Sequence, residues 1–311
     1  MMLQHERKIH EYEEALIKLK SQVLCDGGFA EEEIQNLESR IKELKERVYS
    51  ELSPWEKVAI CRHPKRPHAK DYIKNITEEF FELAGDRYFK DDAAIIGGIG
   101  LIDGKKFMII GQEKGHDTES RIFHNFGMPS PEGYRKALRL MQLAEKFEIP
   151  VLCLIDTPGA YPGLDAEERG QGRAIADNLF KMSRIKTPII SVVIGEGCSG
   201  GALGIGIADT VAMLEHAYYS VISPEGCASI LWKDSSKNSD AAKALRMHAD
   251  DLIEFNMIDI VIKEPQGGAH QNKNEAFENL KNFVLNEVAK LEKIRLDDLV
   301  ETRYQKFRNL G

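Results

Sequence analysis

The chain has 311 residues, 42% of them hydrophobic, with 50 Asp and Glu against 42 Lys and Arg for a formal net charge of −8 at pH 7. Such a chain can bury a sizeable core in one large or two modest domains, and its acidic balance argues against non-specific nucleic-acid binding, which needs a basic surplus. No run approaches the roughly 18 apolar residues of a membrane helix, and the charged opening MMLQHERKIHEYEE lacks the apolar core of a secretory signal. The five cysteines, Cys25, Cys61, Cys153, Cys198 and Cys227, stand singly with no Cys-x-x-Cys, so neither a zinc ribbon nor a disulfide framework is expected. A cytoplasmic protein without a metal of its own is the expectation.

Ile9, Tyr12, Leu16, Leu19 and Val23 recur at spacings of three and four, as do Ile34, Leu37, Ile41, Leu44 and Val48. Each set makes one apolar stripe on a helix, and Asp26-Gly27-Gly28 between them reads as a turn. Residues 1–52 are therefore expected to form a helical hairpin packed on its own domain, with a partner-binding coiled coil as the alternative. Ser53-Pro54-Trp55-Glu56 starts the next helix, with Ser as cap, Pro in the first turn and Glu returning to the cap amide. The basic loop Arg62-His63-Pro64-Lys65-Arg66-Pro67-His68 reads as a solvated connector stiffened by two prolines, or else as a contact for an anionic ligand.

From residue 95 the pattern turns to α/β. Ile95–Leu101 and Lys106–Gly111 flank Asp103-Gly104, a strong hairpin signal. Ser130-Pro131-Glu132 caps a helix to about Glu148, and VLCLID (151–156) follows as a buried strand. Asp165-Ala166-Glu167-Glu168 is expected to cap a helix ending near Arg184, before the second buried strand IISVVI (189–194). Ser199 then opens a short helix of small residues, a strand lies near Tyr218–Ile222, and Ser223-Pro224-Glu225 caps another helix. Apolar strands alternating with helices imply parallel strands joined by right-handed crossovers. The stretch from Asn272 to Leu310 reads as polar amphipathic helices.

The informative stretch is Gly195-Glu196-Gly197-Cys198-Ser199-Gly200-Gly201-Ala202, where a buried strand meets a helix. Glycines there let a ligand approach the backbone, and the first helical amides lack intrahelical acceptors. Those donors would suit an oxyanion, although the same glycines could serve helix–sheet packing alone. Three chemistries compete. Gly195-x-Gly197-x-x-Gly200 with Glu215 matches a dinucleotide fingerprint, but late in the chain and before a glycine-broken helix. Gly197-x-Ser199-x-Gly201 matches the nucleophile elbow of a serine hydrolase, with Asp240 or Asp259 and His270 as partners, whereas a Ser in this position more often caps a helix. The third is an oxyanion hole with no side-chain nucleophile. The turn Asp156-Thr157-Pro158-Gly159-Ala160-Tyr161-Pro162-Gly163 after the earlier strand is similar to the metal-binding turn of GTPases, yet no phosphate-binding Gly-x-x-x-x-Gly-Lys motif accompanies it. Both turns fall on the sheet edge where α/β proteins bind ligands.

LIDTPGAYPGLDAEERGQG (154–172), VIGEGCSGGAL (193–203) and YSVISPEGCASILWK (219–233) closely resemble the carboxyltransferase α subunit of multi-subunit, biotin-dependent acetyl-CoA carboxylase. FGMPSPEGYRKALRLMQLAEKF (126–147), ELAGDRYFKDD (82–92), RHPKRP (62–67) and EPQGGAH (264–270) match too, so the resemblance spans about Ser53 to His270. That family usually carries Gly where this chain has Cys198, and His-Gln where it has Gln112-Glu113, so no polar role carries over to 112 and 113.

The resemblance implies an α/β fold of the crotonase and ClpP type, a spiral of ββα units over 53–270, between the N-terminal hairpin and a C-terminal helical segment at 271–311. It also implies a β-subunit partner that carries the zinc ribbon, a biotin carboxyl carrier protein and a biotin carboxylase, with ATP used by the complex and not by this chain. The implied reaction moves the carboxyl group of carboxybiotin to acetyl-CoA, giving malonyl-CoA, the first committed step of fatty acid biosynthesis. Backbone amides of Gly200, Gly201 and Ala202 are the expected oxyanion hole for the biotin ureido oxygen, with Gly159, Ala160, Tyr161, Gly197 and Ser199 as substrate-binding residues.

Overall fold

The hairpin at Asp103-Gly104 forms with both residues left-handed, at φ 51° and 73°, the geometry that lets a two-residue turn follow the twist of its strands. It joins β2 (Ile95–Ile102) to β3 (Lys105–Gln112), and β1 (Glu79–Glu82) extends the meander antiparallel to β2. The computed structural model describes residues 3–26 and 31–310; the Gly27-Gly28 turn lies outside them. From β3 onward every pairing is parallel, through β4 (Val151–Thr157), β5 (Ile189–Cys198), β6 (Thr210–Leu214) and β8 (Ile260–Ile262), in the order β1-β2-β3-β4-β5-β6-β8. β7 (Tyr218–Ser220) pairs with the far end of β5 at Glu196–Cys198.

Every residue of β4 and β5 is buried, as strands covered on both faces require. Helix Pro131–Lys146 supplies one cover, burying Tyr134, Ala137, Leu140, Met141 and Ala144. Lys273–Leu291 buries Phe277, Leu280, Val284 and Val288 elsewhere in the same core. Ser53 caps Pro54–Cys61 with the full reciprocal box expected of it, and Ser223 caps Pro224–Trp232. The helix expected to run from the Asp165 turn to Arg184 is instead two, Leu164–Glu168 and Gln171–Met182, broken at Gly170, whose φ of 82° no right-handed helix accommodates. Its first part is preceded by Gly163, so Asp165 lies inside the helix and is no cap.

The N-terminal helices, Arg7–Asp26 and Glu31–Ser50, run antiparallel, tied by Lys20 to Glu38 (2.7 Å) and Lys45 to Glu13 (2.6 Å). Ile9 and Ile41 are buried, while Leu16, Leu19, Leu37 and Leu44 are half-buried. The base of the pair is anchored: Tyr49 donates to Glu6 (2.9 Å), and Gln271 beyond the sheet donates to the same carboxylate (3.2 Å). Among the described residues no helix is long and apolar enough to cross a membrane.

Candidate active site

The two glycine-rich turns meet. A Cβ placed on Gly201 would lie 2.5 Å from the carbonyl carbon of Gly159 and 2.6 Å from the amide nitrogen of Ala160, so only glycine lets the helix Ser199–Leu203 sit on the turn after β4. Thr157 shapes that turn, its hydroxyl donating to Gly127 O (2.6 Å) and accepting from Gly159 N (3.0 Å). Tyr161 N donates to Pro129 O (3.0 Å), and Gln171 holds both Pro129 O and Tyr161 O. Gly159, Ala160, Tyr161 and Gly200 are half-exposed and Ser199 is exposed, while Gly197, Gly201 and Ala202 are buried. Gly197 sits inside the sheet, paired with Thr157 on one side and Tyr219 on the other.

Beneath the turns lies a buried charge network. Asp156 sits where the β4–β5 register shifts. Its Oδ1 accepts from Glu196 N (2.9 Å) and pairs with Lys114 Nζ (2.7 Å), and its Oδ2 faces His68 Nδ1 at 2.9 Å. Gly195 must lack a side chain because a Cβ there would lie 2.3 Å from that carboxylate. Lys114 also reaches Glu196 (2.6 Å), which takes Arg62 Nε on its other oxygen (2.9 Å) and the Tyr218 hydroxyl. Burial alone would raise both carboxyl pKa values, but Lys114 and the other donors outweigh it, holding Glu196 at about 2 and Asp156 well below its ordinary range. Both acids are therefore fixed anions that aim β5, and neither is a general base.

This overturns the reading of Arg62–His68 as a solvated connector. Arg66 is 1% exposed, donates to Ile194 O (3.0 and 2.9 Å) and pairs with the buried Glu264 at 2.8 and 2.6 Å. Arg62 spans Glu196 and Glu225, and His68 meets Asp156. The loop is an internal brace for the end of β5.

Ser199 is not the helix cap. β5 runs on to Cys198, which stands in the cap position without a side-chain cap bond, and Ser199 is the first helical residue at φ 53°. This strained, exposed placement suits an elbow, but the partners are missing. His270 stacks on His63 with ring centroids 3.8 Å apart, Asp259 is held by Lys306 and Val211 N, and Asp240 is exposed on helix Asn238–Leu245. The dinucleotide reading fails in a similar way. The helix after the glycines has five residues, and Glu215 is engaged by Lys263 Nζ (2.6 Å) and Glu264 N (3.2 Å).

Two positioning groups escaped sequence reasoning. Gln112, fully buried, accepts from Asp156 N (3.2 Å) and donates to Gly201 O (2.7 Å), and the buried Tyr134 hydroxyl donates to the same carbonyl (3.2 Å). The departure at 112 thus has a specific polar role, bridging both turns; no local pattern marks it, since Gln112 falls just past the strand expected at Lys106–Gly111. Cys198 turns its thiol into a small cluster with Val58, Cys61 and Tyr218, away from the helix amides. Those of Gly200, Gly201 and Ala202 donate to no turn or side-chain acceptor among the described residues. Beside Gly200, where an added Cβ would meet only Ile175 at 3.6 Å, an apolar cavity of about 390 Å³ opens.

Comparison with known proteins bears on this geometry. A solved geranyl-CoA carboxylase β subunit from P. aeruginosa superposes with a TM-score of 0.55 at 17% identity over 77% of this chain, and transcarboxylase 12S with 0.53 at 19% over 70%. The matched region is 45% and 42% of those longer chains, and at such identity the likeness establishes the fold, which is crotonase-like. The acetyl-coenzyme A carboxylase carboxyl transferase α subunits of Chlamydia caviae and Protochlamydia amoebophila are each 58% identical over 310 residues, covering this whole chain and 96% and 98% of theirs. The model of the family described as acetyl co-enzyme A carboxylase carboxyltransferase-like matches residues 2–311. The chain belongs to that family and is a carboxyltransferase α subunit of acetyl-CoA carboxylase.

Proposed function

We propose that this chain supplies the half of the carboxyltransferase site that receives biotin, and that the amides of Gly200 and Gly201, with Ala202 behind them, hold the ureido oxygen. The observation that carries this reading is the start of helix Ser199–Leu203. Gly200 is half-exposed, with Ile175 the sole neighbour among the described residues that an added Cβ would touch, at 3.6 Å, and its helix is pressed onto the Gly159–Ala160 turn. A cradle of that kind fits a flat ureido group, and a side chain at 200 would fill it. When bound, the carboxylated biotinyl group supplies the carboxyl that is transferred to acetyl-CoA. The chain's own part is to place fixed N–H dipoles where negative charge develops on the ureido oxygen, each worth about 3 kcal/mol of barrier. The residues that aim them are Asp156, Gln112 and Tyr134. Gly159, Ala160, Tyr161 and Ser199 border the same approach, and Gly197 acts through the strand that carries it. Asp156 and Glu196, the buried acids beneath the turns, take no proton step, being committed to Lys114 and Arg62.

In this reading a zinc-ribbon β subunit binds the acyl-CoA, the carrier protein delivers biotin, and a separate carboxylase uses ATP, all in the cytoplasm. The test is Gly200→Val, assembled with the β subunit and assayed in reverse as malonyl-CoA decarboxylation with free biotin as acceptor. A folded, assembled complex that has lost at least about 100-fold in rate is expected. A rate near that of the parent would place the oxyanion hole elsewhere.

A further inference from the structure

The cavity beside Gly200 is also lined from the C-terminal helix and the residues after it, which the reading above does not use. Its lining includes Ser199, Gly200, Leu203 and Val211 together with Phe307 and Leu310. Its volume of about 390 Å³ lies in the usual range for small-molecule sites, about 300–1,000 Å³. Among the described residues no charged side chain lines it. No lysine or arginine there meets the phosphates of coenzyme A, and an acetyl group is far smaller than the space. A compact bicycle with an apolar thioether ring, a urea edge turned to Ser199 and Gly200, and an aliphatic tether fits both the size and the chemistry.

The wall is rigid because the helix that carries it is bolted down. Leu296–Arg308 projects Arg303, with a fully buried side chain, into the body of the protein. There the guanidinium donates to Met182 O (2.7 Å), Ile185 O (2.8 Å) and Thr187 O (2.9 Å) and to both oxygens of Asp209 (2.8 and 2.6 Å). A buried guanidinium is tolerated only when so fully satisfied. Lys306, next to Phe307, adds bonds to Asp209 O and Asp259, each 2.7 Å. The last turn is thereby fixed to the segment entering β5 and to the start of β6.

We infer that Phe307 and Leu310 are substrate-contacting residues, forming the apolar wall against which the ring of the biotinyl group packs while its ureido oxygen is held at Gly200 and Gly201. This inference rests on the oxyanion reading above. It assigns the C-terminal helix to the site and makes its last residues determinants of how tightly the carrier's prosthetic group is held.

The test uses the full chain complexed with its β subunit and biocytin, the lysine amide of biotin, as probe. Phe307→Ala and Leu310→Asp are each expected to weaken biocytin binding by about ten-fold or more, as loss of a buried apolar contact does. The reading is taken by titration calorimetry and matched by a rise in KM for biocytin in the reverse assay, with KM for malonyl-CoA unchanged. Phe307→Leu, which keeps an apolar wall, should restore most of the affinity. Leu310 lies beyond the end of the helix, so Leu310→Asp keeps the test available if Phe307→Ala fails to fold. Unchanged biocytin affinity in an assembled Leu310→Asp complex would overturn the inference. So would a rise in KM for malonyl-CoA alone, which would give the cavity to the acyl thioester. Either result leaves the oxyanion reading intact so long as the Gly200→Val complex is inactive; an active Gly200→Val complex removes that reading instead.

Discussion

Gly201→Ala adds one methyl group where the structure has no room for it. The new Cβ would stand 2.5 Å from Gly159 C, 2.6 Å from Ala160 N and 2.8 Å from Gly159 Cα. These are backbone atoms, so no side chain can swing aside, and reaching ordinary contact at 3.4 Å requires the two turns to part by roughly 1 Å. Overpacking of this kind costs about 1–3 kcal/mol. A displacement of about 1 Å in a catalytic constellation costs on the order of 100-fold in rate. Gly200→Ala is the matched control for stability, because its Cβ would meet only Ile175 at 3.6 Å, and an alanine there also restricts the unfolded chain. The expected result is therefore a lowered denaturation midpoint and a collapsed kcat for Gly201→Ala, against a midpoint at or above the parent's for Gly200→Ala. Denaturant melts of each chain and reverse decarboxylation by each complex supply the two readings. If Gly201→Ala keeps both its midpoint and its kcat, the two turns are not in the contact described, and steric locking is the wrong account of Gly201.

Arg66→Leu leaves Glu264 buried without its cation and should cost about 3–5 kcal/mol, while the double replacement Arg66→Leu with Glu264→Leu should cost less than the single one; denaturant melts decide, and a double variant no better than the single would refute a charge-burial origin. Stability should fall as pH drops from 6.5 towards 4. Burial chiefly, with nearby cations adding to it, holds His248 at about 4 and His270 at about 3, so in that window the unfolded chain binds protons that the folded one refuses. Glu196 and Glu264, both at about 2 against an ordinary 4.5, extend the loss below pH 4.5, since their stabilising ionisation disappears as pH falls towards the folded values. A flat denaturation midpoint between pH 6.5 and 4.5 would contradict this, and His248→Asn should flatten that segment. A fluorophosphonate probe should leave Ser199 unlabelled, because neither His270 nor Asp259 is free to activate it; labelling seen by mass spectrometry would reopen the hydrolase reading.

What could be read from the sequence was what local physics decides. The Asp103-Gly104 turn, the Ser53 box and the Ser223 cap each depend on residues within four positions, and each forms as expected. The two glycine turns were legible because strand ends, glycine and proline are all local signals, and the structure does bring them together. The loop Arg62–His68 was misread because its composition says solvent while its partners Asp156, Ile194, Glu196 and Glu264 lie 88 to 198 positions away. Ser199 was misread as a cap because the apolar run stops at Ile194, whereas ladder pairing to β7 carries the strand through Gly197 and Cys198. Gln112 and Tyr134 had no signal at all, for a buried amide or phenol declares its role only through the group it reaches.

The carbonyl of Gly201, which takes both the Gln112 amide and the Tyr134 hydroxyl, belongs to the same peptide group as the N–H of Ala202. Donors on the oxygen draw electron density through the conjugated unit, and chains of hydrogen bonds strengthen one another by about 10–30% per bond. The amide at 202 is therefore a more acidic donor than an ordinary helical N–H, and its acidity is set from two distant places in the chain, the end of β3 and the helix Pro131–Lys146. Through this inductive link, side chains far away in sequence can tune the donor strength of a single main-chain amide. Substitutions at 112 or 134 would then act twice, by weakening that polarisation and by loosening the aim of the turn.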